Sequence, residues 1–326
     1  MQRISRLSVI VFCVCLISSN LFAQDPEFSQ FYSSPLYLNP ALTGTGKCNR
    51  IIMNYRDQWP SLERTYITYA LSYDMFVPRI RSGVGVLLLG DRAGNSIVLT
   101  HGAGLSYAYR LVFNEQFNVQ IGFQAAFVEK RVDWLKLVFG DQLDPRWGLQ
   151  QGRGTGEILG SAPVRFLDFA GGIIGYSERF FGGIAVQHVT QPNESFRRST
   201  FSASLPLKYT IHVGTILYIV KRIENSTFIA PDILFSGQEP FKQLNIGFYW
   251  SNSILSAGLR ARHTFGNPDA LIPFFGYRQD DFKISYSFDI TISELSVGRT
   301  SGAHEVGLEF LICQKSKPVT TICPRW

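Results

Sequence analysis

"FKISYSFDI", residues 282–290, decides the fold. Its even positions are Phe, Ile, Tyr, Phe and Ile and its odd positions Lys, Ser, Ser and Asp, so an extended chain has one oily face and one wet face. The same period recurs in the rest of the chain. Phe117, Val119, Ile121, Phe123 and Phe127 alternate with Asn118, Gln120 and Gln124, and Tyr209, Ile211 and Val213 alternate with Lys208, Thr210 and His212. Near the end, Val306, Leu308, Phe310 and Ile312 alternate with Glu305, Gly307 and Glu309.

Fourteen such runs can be traced, at 49–59, 64–75, 80–90, 96–111, 117–130, 163–177, 179–190, 205–219, 226–236, 240–250, 252–264, 270–279, 281–292 and 303–313. Several exceed the ~5–6 residues usual in soluble strands, and an even number of tilted strands of ~9–11 residues is what a transmembrane barrel requires. Closing the sheet leaves no backbone polar group unpaired in lipid. Composition agrees, with 26 Phe, 14 Tyr and 29 Gly against a charged fraction of 17%. After the N-terminal leader no run of 18 apolar residues occurs, which excludes a helical membrane protein. A soluble β-sandwich or two-domain β protein would show the same alternation. Against it stand a polar face of Gly, Ser, Thr and Gln with Arg260 and Arg262 among them, which suits a lumen, and aromatic pairs at strand ends (Tyr107/Tyr109, Phe180/Phe181, Tyr249/Trp250), which suit interfacial girdles. The expected fold is an all-β, antiparallel, up-and-down transmembrane β-barrel of about 14 strands, with an extended N-terminal segment and a short C-terminal tail.

The front of the chain reads as a secretory signal. Arg3 and Arg6 precede an apolar run from Leu7 to Ile17, and cleavage is expected after Ala23. A membrane anchor would need ~20 apolar residues. The expected divisions are 1–23 signal, 24–48 periplasmic or plug segment, 49–313 barrel and 314–326 periplasmic tail. Of the formal charge of +6, Arg3 and Arg6 account for two, leaving a mild +4 that offers no nucleic-acid surface, Arg197-Arg198 included. Cys48, Cys313 and Cys323 remain after the leader. Cys313 and Cys323, the nearer pair in sequence, are the expected bridge, with three free thiols as the other arrangement.

An even strand count puts both termini on the periplasmic side, with short turns there and long loops outside. The connections from about 131 to 162 and from 191 to 199 then face outward, and the tight turns at Ser177-Glu178 and Gln279-Asp280-Asp281 face inward.

One stretch fits neither period: "FSQFYSSPLYLNPALTG", residues 28–44. Its Phe28-Ser29-Gln30-Phe31-Tyr32 and Pro35-Leu36-Tyr37-Leu38-Asn39-Pro40-Ala41 resemble the mature start of the PorP/SprF family, outer-membrane components of the type IX secretion system of Bacteroidetes. "NYRDQWP" at 54–60, "FLDFAGGIIGYS" at 166–177 and "GGIAVQHVTQPNESF" at 182–196 are similar to further family segments. So are "LPLKYTIHVG" at 205–214, "APDILFSGQEPFKQLNIGFYW" at 230–250, "SGAHEVGLEFLI" at 301–312 and the terminal "CPRW". The resemblance implies a non-enzymatic barrel without cofactor in the cell outer membrane. It would assist export or surface attachment of client proteins with a C-terminal sorting domain, such as gliding adhesins, alongside periplasmic ring and motor components and outer-membrane lipid. A porin-like diffusion channel is the main alternative and a soluble cell-surface β protein the next.

Chemistry has little to work with. The five histidines are dispersed, no nucleophile elbow or metal-ligand spacing occurs, and Gly152-Arg-Gly-Thr-Gly156 lacks the strand and helix of a nucleotide loop. Expected partner-binding residues are therefore Phe28, Phe31, Tyr32, Tyr37, Asn39 and Pro40 at the front, and Trp134, Phe139 and Trp147 in the long loop. To these are added His188, Gln191, Pro192, Asn193 and Trp326. Expected structural or lumen residues are Arg56, Trp59 and Asp168 on strands, and Arg260 and Arg262 paired with Glu305 and Glu309.

Overall fold

The computed structural model describes residues 24–46, 48–62, 65–114, 116–144, 146–150, 154–156, 162–196, 202–221, 226–265, 267–293 and 297–313. The leader, the tail with Cys323 and Trp326, and Arg197-Arg198 lie outside the described residues.

The strands are β1 (Asn49–Gln58), β2 (Tyr66–Val77), β3 (Ser82–Ala93), β4 (Val98–Val112), β5 (Phe117–Val132), β6 (Val164–Ser177) and β7 (Phe180–Gln187). Then come β8 (Lys208–Thr215, resumed after Ile216 as Leu217–Val220), β9 (Thr227–Gln238), β10 (Phe241–Ser251), β11 (Leu255–Thr264), β12 (Asn267–Gln279), β13 (Phe282–Thr291) and β14 (Ala303–Ile312). Both pieces of β8 pair with β9, so the ladder holds fourteen strands, each antiparallel to its neighbours in sequence order. It closes because β1 pairs with β14 from Asn49↔Ile312 to Gln58↔Ala303. No edge remains in the barrel sheet, as lipid demands, and a two-residue hairpin ladder, Leu143–Asp144 with Gly148–Leu149, stands apart in the long loop.

The period-2 pattern becomes two surfaces. On β5, Phe117, Phe123 and Phe127 point outward and are exposed, while Asn118 and Gln120 point inward and are buried. Inward polar residues on other strands, among them Asn54, Ser72, Ser106, Thr210, Asn245 and Ser285, are buried too, so the bore is filled.

All fourteen expected runs are strands, with ends moved by a few residues. Two overruns have a local cause. Trp59 (φ 61°) and His188 (φ 57°) adopt left-handed backbone just past β1 and β7, which ends pairing there, so Trp59 is a turn residue and not a strand residue. The connections obey the expected parity. Residues 78–81, 113–116, 178–179 and 280–281 turn at one end, and the long segments 133–163 and 188–207 leave from the other.

The expected Cys313–Cys323 bridge is corrected. Cys48 bonds Cys313, with Cα atoms 4.6 Å apart at a sequence separation of 265. Sequence proximity is a poor guide where a sheet closes on itself. The residue before the first strand and the residue after the last become ladder neighbours, and the disulfide extends the seam by one step.

Candidate functional site

What fills the bore is residues 24–46. Pro35 and Pro40, each at the first position of a helical turn, set φ and remove a donor that such a position leaves unused. The segment accordingly forms three single turns, Phe31–Ser33, Pro35–Leu38 and Pro40–Leu42. Asn39, extended between the last two, accepts from the Ala41 amide (2.9 Å) through Oδ1. It is wholly buried, with Nδ2 lying 3.3–3.4 Å from Ile173 O and Ile184 O of the wall and 3.3 Å from His212 Nε2.

The segment runs from the loop end of the lumen to the turn end, and is gripped at three levels. At the loop end, His188 lies between Asp168 (Nδ1, 2.9 Å) and Asp25 (Nε2, 2.5 Å). Burial works to lower the imidazole pKa, but hydrogen bonds and charge from Asp168 and Asp25 outweigh it and raise it to about 9. Burial likewise works to raise the Asp25 pKa, and His188 overrides it, holding the carboxyl down at about 2. Lys208 (3.5 Å), Ser236 and Gln243 hold Glu27 beside it.

In the middle sits a charged net. Arg56 contacts Asp289 (2.8 Å) and Glu305 (3.4 Å), Arg262 contacts Asp289 (2.8 Å), and Arg260 contacts Asp232 (3.0 Å). Ser29 lies at its centre. Its hydroxyl donates to Asp289 and accepts from Arg56 (2.6 Å), and its carbonyl accepts from Arg260 (2.9 Å). Glu305 accepts from the Ser29 and Gln30 amides at 2.7 and 3.0 Å. The Arg260 guanidinium stacks 4.0 Å from the Phe31 ring centroid. Buried charges are tolerable only when paired in this manner.

At the turn end, Asp74 accepts from the Gly44 amide (2.6 Å) and is clasped by Arg50, while Arg110 and Gln120 donate to the carbonyls of Gly44 and Thr43. The wall is carved to fit: a Cβ on Gly122 would lie 2.3 Å from Ala41 N, and one on Gly83 2.0 Å from Thr43 O. Apolar packing completes the fit through Phe31, Leu38, Ala41 and Leu42 against Ile174, Tyr176, Phe181 and Leu234. A cavity of about 40 Å³ beside Glu27, Phe28, Tyr37 and Lys208 has room for a few waters.

The expected site residues thus divide. Phe28, Phe31, Tyr32, Tyr37, Asn39 and Pro40 are plug residues whose partner is the barrel's own wall. Arg56 and Glu305 meet as lumen residues, but Arg260 and Arg262 pair with Asp232, Asp269 and Asp289, and Glu309 pairs with Arg278 (3.5 Å). Asp168 and His188 come together. Gln191 (φ 44°), Pro192 and Asn193 shape the loop after β7, where Asn193 Oδ1 accepts from the Ser195 and Ala203 amides. In the long loop Trp147 is 79% and Leu135 93% exposed, Phe139 is half-buried, and Trp134 packs edge-on against Phe196. Asp25, Asp74, Asp232 and Asp289 are plug anchors that sequence reasoning missed. The three strand carboxylates do lie on the polar face of the alternation, which is the only mark they carry.

A lipid-facing closed barrel whose bore is occupied by its own N-terminal segment is a plugged outer-membrane barrel. The chain belongs to the family of type IX secretion system membrane proteins PorP/SprF, whose pattern matches residues 20–310. It is thus an outer-membrane component of type IX secretion. No curated protein matches the sequence. Among solved structures, the toluene transporter TbuX of Ralstonia pickettii is similar at 11% identity and a TM-score of 0.49, over 86% of this chain and 94% of that one. The KdgM porin, solved with disordered oligogalacturonate, is similar at 7% identity and a TM-score of 0.38, over 81% and 99%.

Proposed function

We propose that the protein is a non-enzymatic, partner-binding component of type IX secretion. It assists export or surface attachment of particular clients with C-terminal sorting domains, of which gliding adhesins are one kind, by binding the client, the periplasmic machinery or both. The observation that carries this reading is the filled bore. A porin-like diffusion channel keeps a water-filled lumen, whereas a docking component needs a rigid shape at each membrane face, and the gripped segment supplies that rigidity. The exposed Leu135 and Trp147 add an apolar contact surface outside the membrane.

The test is proteomic. Surface and supernatant fractions are compared between cells with the intact gene, without it, and with residues 28–42 deleted. Loss of a defined set of sorting-domain proteins in both mutants, with the shortened barrel still inserted, supports the reading. An unchanged set contradicts it.

A further inference from the structure

Along β5 the outward positions are Phe117, Val119, Ile121, Phe123, Ala125 and Phe127, and the next two are Glu129 and Arg131. The ten steps from Phe117 to Phe127 climb roughly 25 Å on a strand tilted by about 40°, the height of the apolar band of a membrane barrel. Glu129 and Arg131 therefore stand just past the hydrocarbon, at the loop end. The register puts outward neighbours at the same level. His101 on β4 and Arg165 on β6 lie opposite Glu129, and Arg92 on β3 lies opposite Leu99, which faces Arg131.

This rim is a built surface. Arg131 and Arg165 each bond Glu129 through Nε, at 2.7 and 2.6 Å, yet both side chains are 57% exposed. Glu129 thus sets two guanidiniums side by side on adjacent strands. The Arg92 guanidinium stacks over the Tyr69 ring, 5.9 Å from its centroid, and the Tyr69 hydroxyl reaches His101 Nε2 at 3.3 Å. Among the described residues three guanidiniums gather here on a wall that meets lipid, two of them held by Glu129, while Asp133, the next outward residue, pairs with Lys136 (3.7 Å). The depth of the guanidiniums is that of the headgroup layer of the outer leaflet. Guanidinium forks bind phosphate with geometric fit as well as charge.

We propose that Arg92, Arg131 and Arg165 form a docking site for the phosphorylated glycolipid headgroup of the outer leaflet, at the foot of the long loop 133–163. The bound phosphates take the exposed faces of the Arg131 and Arg165 guanidiniums, each 57% exposed, and fix the side of the barrel from which the loop rises.

The protein is exchanged from its native membrane into mild detergent, and retained glycolipid is counted per barrel by native mass spectrometry. Retention is expected for the unaltered protein and for Lys242→Gln, a change at an outward cation elsewhere on the same rim. A fall of about tenfold or more is expected for the triple variant Arg92→Gln, Arg131→Gln, Arg165→Gln, the scale of losing three surface cations beside an anionic lipid layer. A second measurement avoids dependence on folding of the variant: delipidated, unaltered protein is offered the glycolipid with or without its phosphates, and phosphatidylglycerol. Preference for the phosphorylated glycolipid supports the site. Equal retention by the triple variant, or no discrimination among the three lipids, overturns it.

Discussion

His188 is where a single proton decides how firmly the plug is held. Its ring donates from both nitrogens to carboxylates, Asp168 on the wall and Asp25 on the plug, which only the protonated imidazolium can do. The folded-state pKa is raised from 6.5 to about 9, so the latch contributes its full stability below pH 6.5 and loses it as pH rises through 9. Asp25, with its pKa lowered from 3.8 to about 2, behaves oppositely: its contribution is present above pH 3.8 and lost as pH falls through 2. The latch is therefore strongest between about pH 4 and 6.5. Its loss is worth on the order of 3 kcal/mol, at ~1.4 kcal/mol per unit for His188. Protection of residues 25–32 against hydrogen exchange, taken relative to the intrinsic rate at each pH, is expected to fall between pH 7 and 9.5, and His188→Gln should show low protection throughout with no such fall. A protection factor that stays constant over that range in the unaltered protein would remove the latch. The sequence marks His188 and Asp168 singly but not their meeting: those two come together across the β6–β7 hairpin, and Asp25, distant in the chain, joins them only when the plug fills the closed bore.

The elements that matter most are the plug turns and the closing seam. Residues 28–44 announced themselves by having no period, and Pro35 and Pro40 fixed what the segment could not be. That it lies inside the barrel follows from its composition only in part. Its aromatics require burial, but the wall's readiness to receive it lies in glycines scattered over separate strands. Gly122→Val places a side chain where the Ala41 backbone runs, so the turn-end half of the plug is expected to detach while the barrel stays inserted. Protease cleavage within residues 36–46 would report the detachment, and a fully protected segment would refute it. The seam differs in kind. Period-2 alternation gave the strands and their count, yet said nothing of Cys48 and Cys313, whose meeting depends on closure. Cys48→Ser should lower the barrel's stability by up to ~5 kcal/mol on the chain-entropy account of a very long loop, read as a lower urea midpoint of heat-modifiable migration. An unchanged midpoint would mean that the β1–β14 ladder needs no staple.

At the scale of the whole molecule, the barrel and its plug are one folding unit. Ser29 and Gln30 bond Glu305 on the last strand and Arg56 bonds both Ser29 and Asp289, so the seam strands close around the segment that precedes them. Strand number, topology and the inward and outward faces were readable from the alternation, since a residue's face is a local property. The ion pairs were not: Arg260 and Arg262 lie on the polar face that the alternation marks, but their partners depend on register across strands, which alternation does not set. The central claim is that the lumen is stopped by the protein's own N-terminal segment. Single-channel recording in planar bilayers tests it most directly, comparing the intact protein with one lacking residues 28–42. The intact barrel should show no large, steady open conductance, and the shortened one should show it. A large, steady conductance from the intact protein would contradict the account and make the barrel a diffusion channel.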